Sequence, residues 1–252
     1  MDRRRLRSIF DEVAELYDRA RPTYPGALFD DLLRLAPGPR LLEIGCGTGK
    51  ATAALAARGY DVTCVELGEG LAAVARRTVP QARVLTADFE TWQPDAEFDA
   101  VAAFTAFHWL DPDTRYERAA RVLRPGGALA VAETHHVLAP DGDPFFAAVQ
   151  EDYDAVDPSP DNRPPPPPEE IADLTGAFDA SGRFEPAQAR RYIWDVTYTA
   201  DEYIALLDTY SGHRALSEPK RRRLYDRIRT RIGNKTVRKT YLATLTVASK
   251  KA

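Results

Sequence analysis

The apolar positions of this chain change their rhythm twice. From Ser8 to Asp18 they recur at helical spacing (Ile9, Phe10, Val13, Leu16, Tyr17), with Ser8 placed to cap, which predicts an amphipathic helix. Arg21–Pro25 breaks it, and a second helix is expected over 26–36. Short apolar runs then alternate with helix-forming stretches. Strands are predicted over Arg40–Ile44, Tyr60–Val65, Ala82–Thr86, Phe98–Ala103 and Ala128–Ala132, and helices over Lys50–Arg58, Leu71–Arg77 and Pro112–Leu123. Strands and helices in this alternation predict an α/β fold built on a doubly wound, mostly parallel sheet. After Glu133 the rhythm stops. Residues 134–182 are polar and proline-rich, and the five prolines at 164–168 favour polyproline II and exclude a central strand. One helix, Phe145–Val156, is expected within this stretch. A connection of such length in a compact domain suits a lid or binding loop. A strand region over Phe184–Thr197, helices over Asp201–Tyr210 and Pro219–Ile232, and a closing strand Val237–Ser249 follow, with the last two strands forming a hairpin across the helices. The chain therefore reads as one domain over 1–252. Residues 1–36 form lid helices, 38–134 a ligand-binding core, 134–182 a cap insertion, and 183–252 complete a seven-stranded sheet.

Composition narrows the function classes. The 252 residues carry 34 basic and 38 acidic side chains, a net charge of −4, which argues against a dedicated nucleic-acid binder. No apolar run is long enough to cross a bilayer. The opening MDRRRLRSIFDE has the basic start of a signal peptide without its apolar stretch or cleavage site, so a cytoplasmic protein is expected. Cys46 and Cys64 fall in predicted core elements with no adjacent His or Lys, and read as small buried hydrophobes of a reducing compartment.

The segment Leu41–Thr52, LLEIGCGTGKAT, carries the chemistry. Glycines at 45, 47 and 49 let the main chain turn sharply and approach a ligand. A strand ending in such a loop and feeding a helix makes a nucleotide pocket at the carboxyl edge of a parallel sheet. A dinucleotide fingerprint would need glycine at 50, where Lys50 stands. Strand two ends in Glu66, 21 positions after Gly45, an offset at which an acid can accept hydrogen bonds from ribose hydroxyls. Strand three ends in Asp88–Phe89. The acid can bond an adenine amino group, or cap the turn that follows, and the ring can cover a base.

Glu43–Gly49, Glu66, Asp88–Phe89, FDAVAAFTAFHWLD (98–111) and RVLRPGGALAVAE (121–133) stand in the order of the class I S-adenosylmethionine (SAM)-dependent methyltransferase motifs, and residues 38–134 resemble that family. The whole chain is similar to its small-molecule branch, which includes the ubiquinone/menaquinone and trans-aconitate methyltransferases. FDEVAELYDRARPTYP (10–25) resembles that branch's amino-terminal helix, which closes over the cofactor. The resemblance implies a Rossmann-like methyltransferase fold and SAM as methyl donor. Its cofactor contacts would be Glu43, Gly45, Cys46, Gly47, Gly49, Glu66, Leu67, Asp88 and Phe89.

Methyl transfer asks the protein for alignment and exclusion of water, and for a base only where the acceptor must lose a proton. Candidates near the reacting centre are His108, His135, His136 and Tyr17, with Tyr24, Trp109 and His213 as walls of the acceptor pocket. Each has an ordinary alternative as a packed or hydrogen-bonded core residue. No metal is expected. The reading is methyl transfer to a small organic acceptor, oxygen slightly preferred over nitrogen or carbon, by a monomer or homodimer. Two rivals stand beside it. The stretch 214–252 is rich in Lys and Arg, with Glu218 and Asp226 its only acids, which suits either an RNA methyltransferase or a solvated helix face. A SAM-binding protein that transfers no methyl group would carry the same cofactor motifs.

Overall fold

The computed structural model describes residues 14–160 and 162–251. Seven strands form one sheet: β1 (Arg40–Ile44), β2 (Asp61–Glu66), β3 (Arg83–Thr86), β4 (Phe98–Phe104), β5 (Leu123–Val137), β6 (Gln188–Tyr198) and β7 (Val237–Ser249). Their order is β3-β2-β1-β4-β5-β7-β6. β1 to β5 pair in parallel, while β7 runs antiparallel between β5 and β6. The interior strands are buried on both faces because helices cover both, which is why β1 and β4 are mostly apolar, broken only by Arg40, Glu43 and Asp99, rather than alternating. The strand order reverses between β1 and β4, and a ligand crevice belongs at that switch point.

The described helices are α1 (Ala14–Ala20), α2 (Gly26–Leu35), α3 (Lys50–Ala56), α4 (Glu69–Thr78), α5 (Arg115–Val122), α6 (Phe145–Ala148), α7 (Gln150–Val156), α8 (Thr175–Ser181), α9 (Ala200–Leu207), α10 (Ser211–Ala215) and α11 (Glu218–Ile232). The Ser8–Val13 portion of the predicted first helix lies outside the described residues. One core, around Leu41, Leu55, Cys64 and Ala102, lies under α2 and α3. A second, around Leu42, Val101, Phe107 and Leu129, extends to Tyr116, Phe178 and Phe184. Each such side chain contributes about 1.5–3 kcal/mol on leaving water. A third cluster, built on Tyr203, Leu206, Leu224, Ile228 and Tyr241, seats α9 and α11 against β7. Leu224, Ile228 and Ile232 supply the buried stripe of α11. No described helix is long and apolar enough to cross a membrane.

Four details depart from expectation. β5 does not stop at Ala132 but continues to Val137, because β7 pairs with it in register from Ala128↔Ser249 to Val137↔Thr240. His135 and His136 are therefore strand residues, not the start of a lid. The helix expected over Phe145–Val156 is interrupted at Val149. The stretch 134–182 does not act as one cap: Phe178 of α8 is fully buried beside Tyr116 and Phe184, on a different core from the α6–α7 segment. Pro112 precedes its helix rather than opening it, since Asp111 Oδ1 accepts the Asp113 N–H at 3.0 Å and holds a turn there.

Candidate active site

The glycine loop turns at the carboxyl end of β1. Gly45, Gly47 and Gly49 have φ of +66°, +58° and +89°, which L side chains rarely adopt. Their surroundings separate their roles. A Cβ on Gly45 would lie 2.8 Å from Ala106 Cβ, so glycine lets the ends of β1 and β4 close up. A Cβ on Gly49 would lie 2.9 Å from Val79 Cγ2, so Gly49 serves packing beneath α4 and lines neither of the cavities described below. A Cβ on Gly47 would meet nothing nearer than Tyr17 Cε1, 3.9 Å away. That bare stretch faces open space.

The space is a cavity of about 290 Å³ over the ends of β1, β2 and β3, lined by Gly45, Gly47, Glu66, Leu67, Asp88 and Phe89. Glu66 is buried and organises the loop: Oε2 accepts the Gly47 N–H at 2.8 Å and Oε1 the Gly68 N–H at 2.9 Å. Asp88 Oδ1 accepts the Glu90 N–H at 3.0 Å, so it caps its turn while its side chain also lines the cavity. Leu67 is 43% exposed although apolar, and its exposed surface borders this cavity. Glu43 lies beneath the loop and accepts the Thr52 hydroxyl at 2.7 Å; burial pushes its carboxyl up to about 7. Contact with Cys64 and burial push the Cys46 thiol up, which keeps it protonated.

A second cavity of about 380 Å³ adjoins the first. The two share Tyr17, Arg21, Gly45, Gly47, Phe104, Thr105 and Tyr210. Thr105, just past β4, holds φ +53° without being glycine, a strained backbone at the junction. Its hydroxyl is 3.0 Å from the Tyr24 hydroxyl. Tyr24, His135, His136 and His213 line this second cavity, so sequence-predicted residues far apart in the chain converge. Burial, with Lys239 nearby, pushes His136 down to about 2 and His213 down to about 4, so both rings are neutral at physiological pH. His213 Nε2 lies 3.0 Å from the Tyr153 hydroxyl. Tyr17 borders both cavities from α1. Cys46 and Glu43 reach the second cavity rather than the first.

His108, a candidate near the reacting centre, and Trp109, a candidate pocket wall, are set apart from Tyr24 and His213. Their 3₁₀ turn (Phe107–Trp109) places both on the first cavity, with His108 exposed. The sequence reading passed over Lys239 and Arg21. Lys239 sits in a closing strand whose alternation puts it on the face of buried Val237 and Tyr241, and that alternation was the available signal. Burial pushes Lys239 down, against the pull of Tyr210. Burial works to raise the Tyr210 hydroxyl, but Lys239 and Arg21 outweigh it and hold it below the usual phenol range. Among the described residues no cluster of three or more His, Cys, Asp or Glu side chains could hold a metal ion.

Residues 42–131 match the methyltransferase-domain family. An uncharacterized methyltransferase of Mycobacterium tuberculosis is 37% identical over 155 residues, 56% of this chain and 63% of that protein. A demethylmenaquinone methyltransferase of Clavibacter sepedonicus is 34% identical over 140 residues, 50% of this chain and 56% of that protein. The chain thus spans less than two thirds of the length of these relatives. A solved structure from Anaeromyxobacter dehalogenans, provisionally classed as a type II methyltransferase, superposes with a TM-score of 0.63 at 24% identity, covering 91% of this chain and 97% of that one. The seven-stranded sheet thus shares the fold of that solved structure, and residues 42–131 are similar to the methyltransferase-domain family.

Proposed function

We propose that the protein transfers a methyl group from SAM to a small organic acceptor, with an acceptor oxygen as the preferred nucleophile. The observation that carries this reading is the pair of adjoining cavities meeting at Gly45, Gly47, Thr105 and Tyr210, the first of them ringed by Glu66 and Asp88 at successive strand ends. The residues present fit SAM. Gly47 offers bare main chain where a side chain would intrude, Glu66 and Asp88 can accept hydrogen bonds from sugar hydroxyls and a purine amino group, and Leu67 and Phe89 give apolar cover. SAM, when bound, supplies a sulfonium whose methyl carbon accepts an electron pair from the acceptor. The chain's own part is to align the two ligands across the junction and to exclude water, with Tyr17 and Arg21 as the roof of both cavities. Tyr210 stands at the junction with Lys239 and Arg21 holding its hydroxyl below the usual phenol range, where its oxygen can accept a hydrogen bond from an acceptor hydroxyl, which suits oxygen.

RNA fits less well as an acceptor. Along α11, Arg222 pairs with Glu218, Arg227 and Arg231 with Asp152, and Arg229 with Asp201, so this basic face is largely matched by acids. The test is calorimetric titration with SAM, followed by assay of S-adenosylhomocysteine released with hydroxylated small acceptors. Failure to bind SAM refutes the reading. SAM binding without release from any acceptor favours the non-transferring alternative.

A further inference from the structure

Lys239 is only 3% exposed, yet it lines the second cavity. Its Nζ is 3.3 Å from the Tyr210 hydroxyl and 5.2, 5.3 and 6.0 Å from the ring centres of Tyr241, Tyr210 and Tyr203. Aromatic faces soften the loss of water around an ammonium but do not replace three hydrogen-bond acceptors. Among the described residues no carboxylate forms an ion pair with it. A second cation stands close by. The Arg21 guanidinium is 4.2 Å from the Tyr210 ring centre, donating from Nε and Nη2 to Thr209 at 2.8 and 3.0 Å. Two further polar atoms point the same way: Nε2 of His135 and Nε2 of His136 are buried with no hydrogen-bond partner among the described residues, on the wall of this cavity.

The opposing charges are few. Glu43 reaches the same wall, but it is bound to Thr52 and burial holds it partly protonated at neutral pH. Were Tyr210 ionised, Lys239 and Arg21 together would still leave one positive charge. A buried cation in excess is costly in a closed protein unless something else supplies the counter-charge. Lys50 also lines this cavity but pairs with Asp18 at 3.8 Å, and part of the wall is flat and aromatic: Phe104, Trp194 and Tyr241 line it, with the Trp194 and Tyr241 rings stacked at 5.3 Å.

We infer that the second cavity holds an acceptor bearing a carboxylate on a flat, unsaturated body, with the carboxylate on Lys239 and the Arg21 edge. The inference rests on that cavity being the acceptor side, as the proposed function has it. A single-charged carboxylate matches one ammonium with a neighbouring guanidinium, and the aromatic walls take the rest of the molecule. Lys239 is then a specificity residue, set deep in a strand where it selects the acceptor's charge.

The test titrates the protein, saturated with S-adenosylhomocysteine at neutral pH, with benzoate, salicylate and cinnamate, and with the amide of each. At least one acid binds, roughly tenfold or more tighter than its amide, the scale of a hydrogen bond to a charged partner. Lys239→Met removes that preference and leaves S-adenosylhomocysteine affinity unchanged. Three results overturn the inference: no acid binds, the amides bind as well as the acids, or phenyl phosphate binds more tightly than any carboxylate. The acid-against-amide comparison uses the unaltered protein, so it decides even if Lys239→Met does not fold. Loss of S-adenosylhomocysteine binding by the unaltered protein instead strikes the cofactor reading.

Discussion

Gly47 and Gly49 have similar backbone conformations and opposite surroundings, so one substitution at each separates folding from binding. Alanine at either position forces a left-handed φ on an L residue, a strain of about 1–2 kcal/mol. At Gly47 the added methyl meets nothing within 3.9 Å, so strain is the whole cost. In a chain of this size that lowers the melting temperature by roughly 2–8 °C. At Gly49 the methyl also comes within 2.9 Å of Val79 Cγ2 and 3.3 Å of Thr78 Oγ1, and overpacking adds about 1–3 kcal/mol. Gly49→Ala is therefore the less stable variant. Binding ranks the other way. The Gly47 methyl enters open space where the two cavities meet, and SAM affinity falls by roughly tenfold or more, about 1.4 kcal/mol. Gly49→Ala keeps its affinity at temperatures where it is folded. Scanning calorimetry and isothermal titration on the two variants give the four numbers needed. If Gly47→Ala binds SAM as the parent does, or if the affinity loss follows Gly49→Ala, the loop does not cradle the cofactor as argued.

Asp88→Ala loses a turn cap and an acceptor for the ligand, and SAM affinity drops by about 1–3 kcal/mol by titration; an unchanged affinity makes Asp88 a cap alone. Acid weakens the fold. With His136 pushed down to about 2 and His213 to about 4, the unfolded chain takes up protons below about pH 6.5 that the native state refuses. Their stabilisation is complete above that pH and is lost on acidification at about 1.4 kcal/mol per unit for each ring. Glu43, raised to about 7, opposes one of them between pH 7 and 4.5, since a raised carboxyl stabilises the native state at low pH. The net loss between pH 6.5 and 5 is about 2 kcal/mol in urea denaturation, and a flat profile there contradicts the buried histidines. RNA affinity, if measured, shows no steep decline with salt, because α11 presents arginines already paired to acids; a steep decline revives the RNA reading.

The parts of the fold with a strong β pattern were legible from sequence: β1 over Arg40–Ile44, with its Leu-Leu pair, and β7 over Val237–Ser249, with its alternating β-branched and apolar residues, fall where the pattern puts them. The end of β5 was not, since Glu133-Thr-His-His carries no apolar signal and is held extended by β7, more than a hundred residues away. The lining of the first cavity was legible because Gly47, Glu66 and Asp88 sit at fixed offsets on consecutive strand ends. The same spacing could not tell the open Gly47 from the packed Gly49, a difference made by Val79 on another helix. The second cavity was least legible. Lys239 looks like any strand lysine until Tyr203 and Tyr210, from separate segments, close around it.

The short helix α1 touches both chambers; among the described residues Ala14 and Tyr17 meet Leu71 and Val74, Glu15 pairs with Arg77, and Asp18–Lys50 at 3.8 Å and, just past the helix, Arg21 on Thr209 are further polar ties. A roof common to two rooms cannot be raised over one alone. Two ligands seated in these cavities would share that cover, so shortening Arg21 loosens it over both at once.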